Sequence, residues 1–122
     1  MSVKTTDLVI VMTKGINDEI SSVGLTIANG ALTAELTVGV FLTSAAIDLV
    51  RKSGVDHTHV HPMEPLKALL NDFIKRGGKV WACPPCTQAR GYDETKLIDG
   101  VVIQGASVVF ERIKSGAATL SF

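Results

Sequence analysis

Cys83 and Cys86 are the only cysteines in the chain, and they lie in the run Val80-Trp81-Ala82-Cys83-Pro84-Pro85-Cys86. A C-x-x-C pair can close a disulfide, ligate a metal, or let one sulfur resolve a group carried on the other. An apolar run leads into the pair, and Thr87-Gln88-Ala89-Arg90 follows as a short helical stretch that stops at Gly91. The order strand, cysteines, helix activates thiols, because the partial positive charge of a helix N-terminus favours the nucleophilic thiolate. Pro84 and Pro85 stiffen the loop. Pro85 pushes Pro84 away from the α region, yet can itself open a helix. This predicts Cys83 just before the helix, Cys86 in its first turn, and both sulfurs facing its N-terminus. Two buried cysteines acting as small hydrophobes are the bland alternative. Adjacent prolines at a strand-to-helix junction argue against it.

His57, His59 and His61 form a second cluster, with Met63 close behind. In an extended segment alternate residues share a face. Three neutral imidazoles suit zinc or copper, and two of them with the cysteines would make a four-ligand set. The spacing matches no common zinc module. The preferred reading is a polar, solvated loop between two helices, with a metal-binding module as the alternative. Lys14, Lys67 and Arg90 are candidates to attract an anionic substrate, although most lysines here read as solvated helix faces. Ser44 has no His/Asp partners in a triad pattern, and G-x-S-x-G is absent. Neither the phosphate-loop nor the dinucleotide fingerprint occurs, so no cofactor is expected.

The elements that must position these residues alternate between strand and helix. Asp7–Met12 is apolar almost throughout and reads as a parallel strand buried on both faces. After Thr13-Lys14-Gly15, Asn17 is the expected N-cap of a helix whose packing face is Ile20, Val23, Gly24 and Ile27, with Gly30 as its stop. Residues 36–42 form the second strand. A short helix capped by Thr43 or Ser44 follows and closes at Gly54. Pro65 reads as a first-turn proline of the clearest amphipathic helix, Leu66 to Ile74, which ends at Gly77-Gly78. Lys79–Ala82 delivers the cysteines, Val101–Ile103 is a fourth strand, Ser107–Lys114 a helix, and 118–122 a closing strand. Strands alternating with helices imply crossover connections and a parallel sheet, beyond whose carboxyl ends ligand sites lie.

The chain has 122 residues, enough for one domain, 1–122. Its 46% hydrophobic content is high for so small a surface, which predicts some burial between subunits. Twelve basic residues balance twelve acidic ones, so no footprint for nucleic acid is present. No apolar run approaches the roughly 20 residues of a membrane span. Residues 1–6 carry no signal-peptide pattern. Together with the C-x-x-C this leads to an expected reducing, cytoplasmic setting.

A thioredoxin reading fails on order. There the tryptophan directly precedes the first cysteine, whereas Ala82 intervenes here, and no proline follows Cys86. The run Ala82-Cys83-Pro84-Pro85-Cys86-Thr87-Gln88-Ala89-Arg90-Gly91 instead resembles the cysteine loop of the DsrE/DsrF-like family. Gly77-Gly78, the stretch 99–106 and the closing Thr119-Leu120-Ser121-Phe122 are also similar. The resemblance implies a three-layer α/β/α sandwich on a five-stranded, mainly parallel sheet, assembled as trimers or hexamers. It implies a sulfur carrier or sulfurtransferase-like activity, with sulfur held as a cysteine persulfide between donor and acceptor proteins. The family's sulfur-accepting cysteine matches Cys83 by its distance to Arg90-Gly91. Cys83 is therefore expected to be the more reactive thiol, with a pKa below the usual thiol range. Cys86 is a second thiol that relay subunits need not have. It would resolve a persulfide on Cys83, releasing sulfide and leaving a disulfide, or tune its pKa. Arg90 would hold the anionic donor or the thiolate, or cap the loop. Reversible dithiol redox or peroxide-responsive chemistry on the same pair is the alternative.

Overall fold

The computed structural model describes residues 5–122. Five strands, β1 (Asp7–Met12), β2 (Thr37–Leu42), β3 (Lys79–Ala82), β4 (Val101–Ile103) and β5 (Ala118–Ser121), form one sheet in the order β4-β3-β2-β1-β5. Every pairing is parallel. The helices are α1 (Glu19–Thr33), α2 (Leu66–Lys75), α3 (Pro84–Ala89) and α4 (Ser107–Lys114). A 3-10 helix, Ser44–Val50, follows β2, and a single 3-10 turn, Glu94–Lys96, precedes β4.

The strand order sets the layers. From β1 to β4 the chain steps steadily in one direction, so right-handed crossovers place α1, α2 and α3 on one face. From β4 it returns across the sheet to pair β5 with β1, and the same handedness puts α4 on the opposite face. Ile10, Met12, Val40, Leu42 and Val80 point to the first face and meet Leu25, Ala28, Leu66 and Phe73. Val9, Phe41 and Trp81 point to the second and meet Val109 of α4. The Trp81 ring lies across Gly39 of β2, where a Cβ would stand 2.1 Å from the indole.

Four local expectations are corrected. Asp18, not Asn17, caps α1, its carboxylate accepting from the Ile20 amide at 2.9 Å. Gly30 does not end the helix. The stop is Glu35, in the left-handed region at φ 68°, where the Glu35 amide bonds Leu32 O and the Leu36 amide bonds Ala31 O in a Schellman arrangement. The packing face of α1 is Ser21, Gly24, Leu25 and Ala28, while Ile27 is 38% exposed. Small side chains win because α1 lies close on the sheet: a Cβ at Gly24 would sit 3.0 Å from Met12 Cε. Pro65 stands one residue before α2, at its cap.

Candidate functional site at the carboxyl ends of strands β3 and β4

β3 and β4 are neighbours whose following helices leave to opposite faces, α3 to one and α4 to the other. Such a switch point opens a crevice beyond the strand ends. Cys83 stands in it. The ladder continues one step past the strands, with Cys83 N–H donating to Leu42 O and Gln104 N–H to Ala82 O, both at 3.0 Å. The Cys83 side chain packs against both apolar layers.

The prolines place the second cysteine. α3 begins at Pro84 itself, so Pro84 is helical, contrary to the expectation that Pro85 would exclude it from the α region. Cys83 is the N-cap and Cys86 the third helical residue. Both thiols are free and half-buried. Because Pro84 and Pro85 carry no N–H, the first turn keeps only one of its three leading amides, that of Cys86. That amide lowers the Cys83 pKa, but burial raises it more, and the adjacent Cys86 side chain adds to the rise. The Cys83 thiol therefore sits above its ordinary value. The expected depression by the helix N-terminus is overturned, because the diproline strips the turn of donors while the crevice removes solvent.

Cys86 has a partner from another strand end. The Ser44 amide, at the start of the 3-10 helix and with φ 53°, donates to Cys86 Sγ at 3.2 Å. Arg90 does not reach toward a sulfur. Its Nη1 donates to Cys86 O at 3.2 Å and its Nε lies 4.0 Å from Asp48 Oδ2. The Tyr92 hydroxyl donates to Asp48 Oδ1 at 2.6 Å, and that bond to a carboxylate holds the Tyr92 pKa up. Arg90 thus caps the loop and ties α3 to the 3-10 helix, which is the third of its anticipated roles. Asp48, Tyr92 and the Ser44 amide were not singled out from sequence. Asp48 is the one carboxylate among Ala45, Ala46, Ile47, Leu49 and Val50, and Tyr92 is the chain's only tyrosine, beside Arg90-Gly91. Both facts were visible signals.

The other candidates lie apart. His57, His59 and His61 are exposed on the loop between the 3-10 helix and α2. The His59 and His61 rings are 5.9 Å apart, and His59 Nε2 is 2.8 Å from Met63 O. Among the described residues no group of three or more His, Cys, Asp and Glu side chains is placed to hold a metal ion. Lys67 pairs with Asp56 on α2's flank, and Trp81 is a core residue. No helix among the described residues is long and apolar enough to cross a membrane.

Residues 7–122 match the model of the DsrE/DsrF-like family. The chain belongs to this family. Among solved structures, the DsrE/DsrF-like fold recurs in the ychN protein of E. coli, with TM-score 0.76 and 21% identity over 98% of this chain and 100% of that one. MTH1491 of Methanobacterium thermoautotrophicum, a protein of unknown function, gives TM-score 0.70 and 20% identity over 95% and 98% of the two chains. BT1422 of Bacteroides thetaiotaomicron, also of unknown function, gives 0.67 and 19% over 96% and 95%. No curated protein matches the sequence significantly. At these identities the structural likeness shows the fold, and the chemistry has to be argued from the cysteines.

Proposed function

We propose that this DsrE/DsrF-like chain is a cytoplasmic sulfur carrier or sulfurtransferase-like protein that holds sulfane sulfur as a persulfide on Cys83. The observation that carries the reading is two free thiols, three positions apart, at the switch-point crevice of a sulfur-relay-type fold. The Cys83 thiolate attacks the outer sulfur of a donor persulfide, and the donor leaves as its thiolate. The outer sulfur on Cys83 then passes to an acceptor thiolate, regenerating Cys83. Alternatively the Cys86 thiolate attacks the inner sulfur, hydrosulfide leaves, and a Cys83–Cys86 disulfide forms. Burial raises the Cys83 pKa, so less of its thiolate is present at neutral pH, and that thiolate is the stronger nucleophile once formed. Donor and acceptor proteins are the partners in this reading. The chain works as a homo-oligomer, trimeric or hexameric, and the half-covered α4 face supplies apolar surface for it.

A dithiol redox role is the second reading. The observation favouring it is the Ser44 amide on Cys86, which gives the second sulfur a fixed partner of its own. Mass spectrometry after a short polysulfide pulse separates the two. Under the carrier reading, wild type gains one sulfur on Cys83, Cys83→Ser gains none, and Cys86→Ser keeps its extra sulfur longer. A reversible disulfide with no sulfur uptake supports the redox reading and overturns the carrier. Loading confined to Cys86 moves the acceptor role to that residue.

A further inference from the structure

A cavity of about 350 Å³ opens between the turn after the 3-10 helix, the flank of α2 and Ile98, and it shares no lining residue with the cysteine loop. Val55, Leu70 and Ile98 give it an apolar wall, and Arg51, Lys52 and Lys67 line the rest with positive charge. Its one carboxylate, Asp56, is taken by Lys67 at 3.3 Å. Arg51 and Lys52 have no carboxylate partner among the described residues. The chain as a whole is formally neutral, so this is a local excess of cations.

The wall that carries those cations is fixed by backbone. The Lys52 amide bonds Lys96 O and the Ile98 amide bonds Val50 O, both at 2.9 Å, around an antiparallel bridge between Arg51 and Leu97. The Gly54 amide closes the turn on Arg51 O at 2.8 Å. Ser53 is held in the left-handed region at φ 66°. Gly54 packs so closely that a Cβ would stand 2.3 Å from Asp48 O. A non-glycine residue in that region persists where its surroundings over-determine it, and such sites gather at ligand clamps. Small-molecule pockets are typically about 300–1,000 Å³, mainly apolar, with a few placed polar groups. This cavity meets the description with a lining in which cations outnumber the single carboxylate.

We propose that it binds a small organic anion, a carboxylate or phosphate monoester. The charged head meets Arg51 and Lys52, whose donors suit both groups, and the apolar body lies on Val55, Leu70 and Ile98. The assignment is independent of the sulfur chemistry at Cys83.

Titrating the ¹⁵N-labelled full chain with phenyl phosphate, hexanoate, inorganic phosphate and phenol tests it. Saturable amide shifts at Leu70, Asn71 and Ile98 are expected with phenyl phosphate and with hexanoate. The affinity for phenyl phosphate should exceed that for inorganic phosphate or phenol by about tenfold or more. Arg51→Gln combined with Lys52→Gln leaves the backbone bridge intact and should weaken binding by about tenfold. Shifts confined to the cysteine loop, no saturation with either organic anion, or equal affinity in the double variant each overturn the proposal. Inorganic phosphate binding as tightly as phenyl phosphate overturns it too, since the apolar wall then contributes nothing. Should the double variant lose its folded spectrum, wild-type affinity that stays constant between low and high salt overturns it, because an anion on exposed cations is screened.

Discussion

The two faces of the sheet are built to different depths. Among the described residues, twenty buried apolar side chains form one continuous core on the face covered by α1, α2, α3 and the 3-10 helix. On the other face, among the described residues, α4 covers the strands and only Val9, Phe41, Trp81 and Val109 are buried together. Val102 of β4 lies beside Trp81 on this thinner face and is 54% exposed, and Phe110 of α4 is 60% exposed. The thick face supplies the burial that folds a chain of this size. The thin face is closed by one wide ring and a glycine slot. Cys83 touches both layers, so the cysteine loop rests on the seam between a densely packed half and a sparsely covered one.

The largest expected effects sharpen that contrast directly. Phe73→Ala empties a fully buried position on the thick face and should cost about 3–5 kcal/mol. Val109→Ala, a smaller truncation on the thin face, removes fewer atoms from a shallower site and should cost about 2 kcal/mol. Urea unfolding of both variants measures the difference. Equal losses would mean that the two faces contribute alike and the contrast is wrong.

The next test concerns what covers the thin face. In the proposed assembly a second copy does, so Phe110→Glu should shift the light-scattering mass from an oligomer towards a monomer while the circular dichroism stays the same. Wild type that is already monomeric at micromolar concentration removes the proposal. An oligomer that survives Phe110→Glu moves the contact elsewhere, to another exposed apolar side chain such as Ile27 or Leu120.

The seam itself gives a pH test. Cys83 lies above the ordinary thiol value, chiefly through burial and then through the Cys86 side chain. For a thiol, a raised pKa means less thiolate at neutral pH. Iodoacetamide should therefore label Cys83 several-fold more slowly than a free thiol near pH 7, with the rate climbing as pH passes beyond the usual thiol range. Cys86→Ala removes the neighbour's contribution and should move the midpoint down. A Cys83 midpoint below the ordinary value in wild type would mean that the sulfur is less buried than its packing against both layers requires.

The thick face was largely legible in the sequence, and the seam was not. β1 and β2 could be read because strands buried on both faces are written as nearly continuous apolar runs, here 8–12 and 38–42. Gly24 was placed correctly on the packing face of α1, but hydrophobicity favoured Ile20, Val23 and Ile27 beside it, whereas close approach to Met12 selects small neighbours such as Ser21 and Ala28. Gly30 looked like a stop, but the left-handed residue that ends this helix is Glu35. At the site, the cysteine spacing was plain. The loss of two amides to Pro84 and Pro85 also follows from the sequence, but only the helix dipole was taken into account there, not the missing donors. Burial of Cys83 and the Asp48–Tyr92 bond join segments far apart in sequence, and no local pattern encodes them.

The smallest expected effect tests how the thin face is finished. The Arg112 guanidinium lies over the Trp81 ring, 5.0 Å from its centroid, and pairs with Asp7 at 3.2 Å. The arginine's stem and planar head thus form a polar lid where an apolar layer would otherwise continue. Both charged partners are partly exposed, so water screens the pair and its contribution is modest. The cation over the ring adds a term of similar size. Arg112→Gln should lower stability by about 0.5–1 kcal/mol, with Arg112→Lys recovering only part, since lysine keeps the charge but not the flat stacking surface. The single tryptophan makes the check direct, because its emission reports the ring under the lid during urea unfolding. A loss approaching that of Phe73→Ala would show that the lid is integral to the core and that the thin face is stronger than its four buried residues indicate.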